Sequence, residues 1–118
     1  MAQYYVGVCY RHGNSIKKND KFAFQYYKKV AKNDFVAGQL QLGYFYHNGI
    51  GIEKNLKKAI DWYEKAANNG NIKAICYLGL CYKIGEGVEK DSNKAFELFK
   101  NSAKQGYQKA QYNLALII

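Results

Sequence analysis

Glycine, tyrosine and alanine return in this sequence at a fixed offset of 36 residues. Gly7, Gly43 and Gly79 align, as do Tyr10, Tyr46 and Tyr82, and then Gly13, Gly49 and Gly85. Further along the same register come Ala23, Ala59 and Ala95, and finally Ala31, Ala67 and Ala103. The stretch from Gly38 to Gly70 carries the pattern in full and its neighbours copy it without insertion. Such a period means stacked units, each burying its apolar face against the next, before it means anything else. A chain of 118 residues holds about three of them. The units run over about 2–37, 38–73 and 74–109, with a partial fourth at 110–118, and together form one solenoid.

Within a unit the pattern is helical. The first helix of the central copy is expected from about Val36 to Tyr46, with Leu42 and Tyr46 four apart on one face and Leu78 and Tyr82 repeating the pair. Gly49 and Gly85 stand where it should stop, at the position past a helix end that often turns left-handed. Gly43 and Gly79 fall inside the helix, at a cost of about 1 kcal/mol against alanine, which implies a neighbouring helix too close for a Cβ. Ile52 and Val88 are expected to tuck beneath the turn. Asn55 and Asp91 then offer oxygen acceptors to the free N–H groups of a second helix. That helix carries Ala59, Ile60, Tyr63 and Ala67 at spacings of three and four, with Ala95, Phe96, Phe99 and Ala103 as their counterparts. Gly70 and Gly106 close it. Each unit is therefore a helical hairpin.

These residues spell a family pattern. Ala74 through Tyr82, then Gly85-Glu86-Gly87-Val88, Asp91, Lys94-Ala95, Leu98-Phe99, Ser102-Ala103 and Gly106 resemble the Sel1-like repeat, a relative of the tetratricopeptide repeat. The central copy matches with Leu42-Gly43, Tyr46, Gly49-Ile50-Gly51-Ile52, Lys58-Ala59, Trp62-Tyr63 and Lys65-Ala66-Ala67. The first copy departs from it, with Asn14-Ser15 at the second loop glycine and Asp34-Phe35 where Gly70-Asn71 stands later. The resemblance implies an all-α fold: a right-handed alpha-alpha superhelix, or solenoid, of three Sel1-like hairpins plus a C-terminal helix. It also implies a non-catalytic scaffold or adaptor that binds a protein or peptide through its concave face. Carried over through the shared Leu-Gly and Tyr positions, that face holds Tyr4, Val8 and Arg11, then Leu40, Tyr44 and His47. Cys76, Leu80 and Lys83 follow, and Tyr112 and Leu116 complete it. The mixture is aromatic and aliphatic with a basic edge, suited to an acidic peptide with an apolar anchor.

Catalytic and cofactor chemistry find little support, and no cofactor or metal is expected. His12 and His47 have no carboxylate or cysteine at ligand spacing. Cys76 and Cys81 are five apart, not a Cys-x-x-Cys pair. The strings GIGI and GEGV follow helices and lack the strand, lysine and helix order of a phosphate loop. Three cysteines at apolar helix positions read as buried thiols in a reducing compartment. No run approaches a membrane span, and Met1 precedes polar and aromatic residues instead of a basic and then apolar leader, so a cytoplasmic location is expected.

The formal charge is +9, and the first 36 residues supply seven basic and two acidic side chains of it. Lys17, Lys18 and Lys21 bracket the start of that unit's second helix, and Lys28, Lys29 and Lys32 crowd its end. The alternative function is thus electrostatic binding of nucleic acid or an anionic membrane surface by this unit. A solvated, solubilising face is the plainer reading of the same lysines, because most of the twelve tyrosines sit at interior repeat positions and leave few rings for bases. The last stretch, Ala110 to Ile118, supplies only a first helix, and Met1 opens inside one. Either the chain is a segment of a longer array, or Leu116, Ile117 and Ile118 meet other copies in a homo-oligomer.

Overall fold

The computed structural model describes residues 2–13 and 16–117. The described residues form seven helices: α1 (Ala2–His12), α2 (Asp20–Lys32), α3 (Val36–Asn48), α4 (Leu56–Asn68), α5 (Ile72–Ile84), α6 (Ser92–Lys104) and α7 (Gln108–Ile117). Each packs chiefly on its neighbours in sequence, and the array extends over 45 × 27 × 23 Å. The pairs α1–α2, α3–α4 and α5–α6 are the three expected hairpins, and α7 is the extra helix. Asn14 and Ser15 of the first loop, Met1 and Ile118 lie outside the described residues.

The two helices of a hairpin differ because their surroundings differ. Those of the first kind, α3 and α5, are apolar on most sides, and Leu42, Phe45, Cys76 and Cys81 are among their buried residues. Those of the second kind, α2, α4 and α6, bury one stripe and expose lysines on the other side. The stripe is turned slightly from its expected line. Ala66 and Ser102 are fully buried, whereas Ala67 and Ala103 are only half-buried. Ser102 Oγ donates to the Ile72 carbonyl at 3.1 Å, so this buried hydroxyl is satisfied.

The corners repeat down to single hydrogen bonds. Gly49 and Gly85 adopt left-handed φ values of 65° and 85° and donate back to Phe45 and Cys81. The carbonyls of the recurring Tyr10, Tyr46 and Tyr82 then accept from the N–H groups of Asn19, Asn55 and Asp91 at 2.8–2.9 Å. The side chains of those three residues cap the second helices, accepting from Phe22, Lys58 and Lys94. At the other corner Asp34, where later units have Gly70 and Gly106, takes the same left-handed turn with φ 65°. Within the loops Val88 packs on the core as expected, but Ile52 is 36% exposed and Ile50 takes the inward place.

Gly43 and Gly79 occupy helix interiors because a ring lies over each. A Cβ on Gly43 would sit 2.6 Å from Tyr63 Cδ1, and one on Gly79 2.7 Å from Phe99 Cε1. These rings come from the second helix of the same hairpin. Between units, Gln39 is fully buried yet satisfied: its amide nitrogen donates to the Ala31 carbonyl and its oxygen accepts from Asn69.

Candidate protein-interaction surface

Helices α1, α3, α5 and α7 line one side of the array, and their side chains join one unit to the next. The Arg11 guanidinium of the first unit donates to Gln41 Oε1 of the second and lies 5.3 Å from the Tyr44 ring centre and 5.4 Å from that of Phe45. Tyr44 in turn meets Tyr77 of the third unit, with ring centres 6.0 Å apart, and Tyr77 meets Tyr63 at 5.4 Å. His47 sits between two partners: its Nδ1 is 3.3 Å from the Tyr63 hydroxyl and its Nε2 3.2 Å from Glu86 Oε1. At the first unit, Tyr4 packs against Tyr5, Tyr27 and Phe35.

Burial keeps these phenols neutral. It raises the pKa of Tyr4 and Tyr77, pushes Tyr27 up to about 12 and moves Tyr63 up further. Burial also pushes the Cys76 and Cys81 thiols up to about 11. Both thiols are therefore protonated at neutral pH and lie beneath the surface. Among the described residues no group of three His, Cys, Asp or Glu is placed to hold a metal ion.

The expected binding face divides on inspection. Leu40 and Cys76 are 7% and 1% exposed, so they support the surface from beneath and present none to a partner. Their helices are packed on both sides, and a face inferred from one helix of each unit does not register that. Arg11 and His47, two residues of the expected basic edge, already have partners within the chain. His47 does have a carboxylate neighbour, Glu86, brought in by the loop of the next unit. Val8, Tyr44, Leu80 and Lys83 are half-buried, and Tyr112 and Leu116 are exposed. The structure brings Leu80 and Tyr112 together with Tyr77, Gln108 and Lys109 around a cleft of about 380 Å³ between α5 and α7. Tyr77 and Lys109 escaped the sequence reading, as did Gln41. Gln41 and Tyr77 are 36 apart and each directly follows a residue assigned to the face, so the adjacent register carried the signal.

The six lysines of the first unit divide between its loop and α2. Lys17 and Lys18 lie in the loop and Lys21 at the start of α2, all exposed. Lys29 borders an outer groove with Phe22 and Tyr26, whereas Lys28 and Lys32 also face α4. On α7, Leu116 and Ile117 are exposed, and Ile118 of that group is outside the described residues.

A known family's model, the Sel1 repeat, matches residues 1–35, 36–71 and 72–107, in the same register as the three hairpins. The chain belongs to the Sel1 repeat family. A Sel1 repeat protein from Oxalobacter formigenes is similar to it with a TM-score of 0.92 and 32% identity, over 97% of this chain and 46% of that one. A protective antigen of uropathogenic Escherichia coli with an SLR fold gives 0.90 and 29%, over 92% of this chain and 23% of the antigen. Helicobacter pylori cysteine rich protein B gives 0.78 and 30%, over 96% and 91%. The chain thus spans less than half the length of the first two relatives. Among curated proteins the sequence has no match. Sel1 repeats, like the related TPR-like repeats, generally serve as protein–protein interaction scaffolds and are typically non-catalytic. No helix among the described residues is long and apolar enough to cross a membrane.

Proposed function

We propose that this Sel1 repeat chain is an adaptor that captures a segment of another protein along the α1, α3, α5 and α7 side. In the superhelix of its family that side turns inward. The cleft between α5 and α7 carries the proposal: it is rimmed by Tyr77, Leu80 and Tyr112 and has room for one large apolar side chain. Tyr112 is 67% exposed, an unusual position for a ring with no packing role to fill, and exposed aromatic residues are common anchors of interfaces. Gln108 and Lys109 supply polar contacts at the edge, and Lys109 takes the cationic part that Arg11 and His47 do not play. Three free thiols, two of them buried, support a reducing compartment as the place of action.

The test is a photo-crosslinking residue installed at position 112, with position 97 on the opposite side as the control. A partner captured from position 112 alone should lose affinity about tenfold on Tyr112→Ala, measured by calorimetry. Equal capture from both positions, or unchanged affinity of the Tyr112→Ala chain, overturns the assignment of this side.

A further inference from the structure

A second surface lies on the opposite side, where α2 and α4 run beside each other over Tyr46. Lys28 and Lys32 of α2 and Lys58 and Lys65 of α4 border a groove of about 400 Å³ with Trp62. Asp61 is the one carboxylate in its lining. Among the described residues no carboxylate oxygen lies within 4.0 Å of any of these four ammonium groups.

The repeat provides an internal comparison. The equivalent groove between α4 and α6 has Glu64 where the first has Lys28, Asn68 where it has Lys32, and Asn101 where it has Lys65. Of the four lysines only Lys58 has a lysine counterpart, Lys94, and Leu98 replaces Trp62. Four lysines against Asp61 give the first groove a net charge of +3, and Lys94 against Glu64 leaves the second neutral. Both grooves close the same helix packing. The lysines and the indole are therefore not what the fold requires there.

We propose that the α2–α4 groove binds a short acidic segment of a partner protein, separately from the α5–α7 cleft. Lys58 and Lys65 are seven residues apart on one helix, about 10 Å, which an extended peptide covers in three or four residues. Consecutive Asp and Glu side chains on such a segment alternate outward toward the two rows of ammonium groups. Nucleic acid fits less well. Tyr46 is only 7% exposed and the Lys58 ammonium already lies 5.5 Å from its ring centre; that of Lys65 lies 5.3 Å from the Trp62 ring. Within the groove each ring already has an ammonium group beside it, and toward α6 the positive stretch ends at the neutral groove instead of continuing as a path for a strand.

Trp62 is the sole tryptophan, so its emission reports this groove directly. Drawing Lys65 away from the indole toward a carboxylate changes the ring's surroundings. The purified chain is titrated with a hexaglutamate peptide, a thymidine hexanucleotide and phosphatidylserine vesicles at one low salt concentration. The expected result is a saturable change in emission with hexaglutamate that Lys32→Gln with Lys65→Gln weakens about tenfold. Lys94→Gln with Lys104→Gln removes the same charge from α6 and should leave the binding within about twofold. Tyr112→Ala should not alter it, so loss of the α5–α7 assignment would leave this one standing. No saturable response, an equal loss in the α6 pair, or tighter binding of the oligonucleotide or the vesicles overturns the proposal. All four substituted lysines are exposed, and far-UV circular dichroism checks that each variant keeps its helices.

Discussion

Gly43 lies under the ring of Tyr63, and the two set the distance between α3 and α4. A Cβ at Gly43 would meet Tyr63 Cδ1 at 2.6 Å and Cε1 at 2.8 Å. The ring cannot swing away freely, because Tyr63 is fully buried, its hydroxyl is bound to His47 and its other side meets Tyr77. Alanine would gain about 1 kcal/mol of helix propensity, but overpacking a fixed ring costs about 1–3 kcal/mol. Gly43→Ala is therefore expected to lower stability by up to about 2 kcal/mol in urea denaturation. Gly7, where the corresponding approach to Tyr27 Cε1 is 3.0 Å, has room for a small shift. Gly7→Ala should be near neutral, and a larger loss there than at Gly43 would refute this account of the recurring glycine.

The same contrast explains what could be read from the chain before its structure. Gly43, Asn55 and Tyr46 act within their own hairpin, so the 36-residue period repeats them and the eye finds them. The contacts that shape the interaction side cross from one unit to another. Arg11 reaches Gln41, 30 residues away, and His47 reaches Glu86, 39 residues away. Neither separation equals the period, and neither pair recurs in the other units, so no pattern announced them. Ile50 and Ile52 failed for a local reason: both follow Gly49, and only the path of the left-handed turn decides which one faces inward. The candidate face was legible as a set of helix positions. Which of those residues remain available was not, because availability depends on the neighbouring unit.

Buried acids make the fold sensitive to alkali. The Cys76 and Cys81 thiols move from an ordinary 9.0 to about 11, and the Tyr27 phenol from 10.0 to about 12, all chiefly through burial. Tyr63 shifts in the same direction. Above pH 9 the unfolded chain releases protons that the folded chain retains, so the unfolded state binds fewer and stability falls as pH rises. Below that point these groups are protonated in both states and contribute no slope. The urea midpoint should accordingly stay level from neutrality to about pH 9 and fall beyond it. Tyr63→Phe should flatten the upper part of the decline, and the lysines cancel in that comparison because both proteins carry the same ones. A midpoint as high at pH 11 as at pH 8, or the same decline in Tyr63→Phe, would contradict the role given to these groups.

Helix α7 packs on α6 through Ala110 and Leu114, and turns Tyr112, Leu116 and Ile117 outward with exposures of 67%, 59% and 38%. Three large apolar side chains on a single helix favour association with a second copy. Fully covering a leucine or isoleucine contributes about 1.5–3 kcal/mol, and only the exposed 59% of Leu116 and 38% of Ile117 is left to cover, so two copies together supply about 3–6 kcal/mol. Lost translational and rotational freedom costs about 4–15 kcal/mol, which leaves at most a weak dimer. Light scattering should therefore show a mass that rises with concentration instead of a fixed dimer. Leu116→Lys with Ile117→Lys should hold the protein monomeric throughout, because self-association would then bring four added ammonium groups together, while the helical signal is retained. A wild-type chain that stays monodisperse and monomeric at high concentration would show that α7 is not sticky. Association that survives both lysines would move the contact away from α7, and the exposed ring of Phe22 on α2 is the next place to substitute.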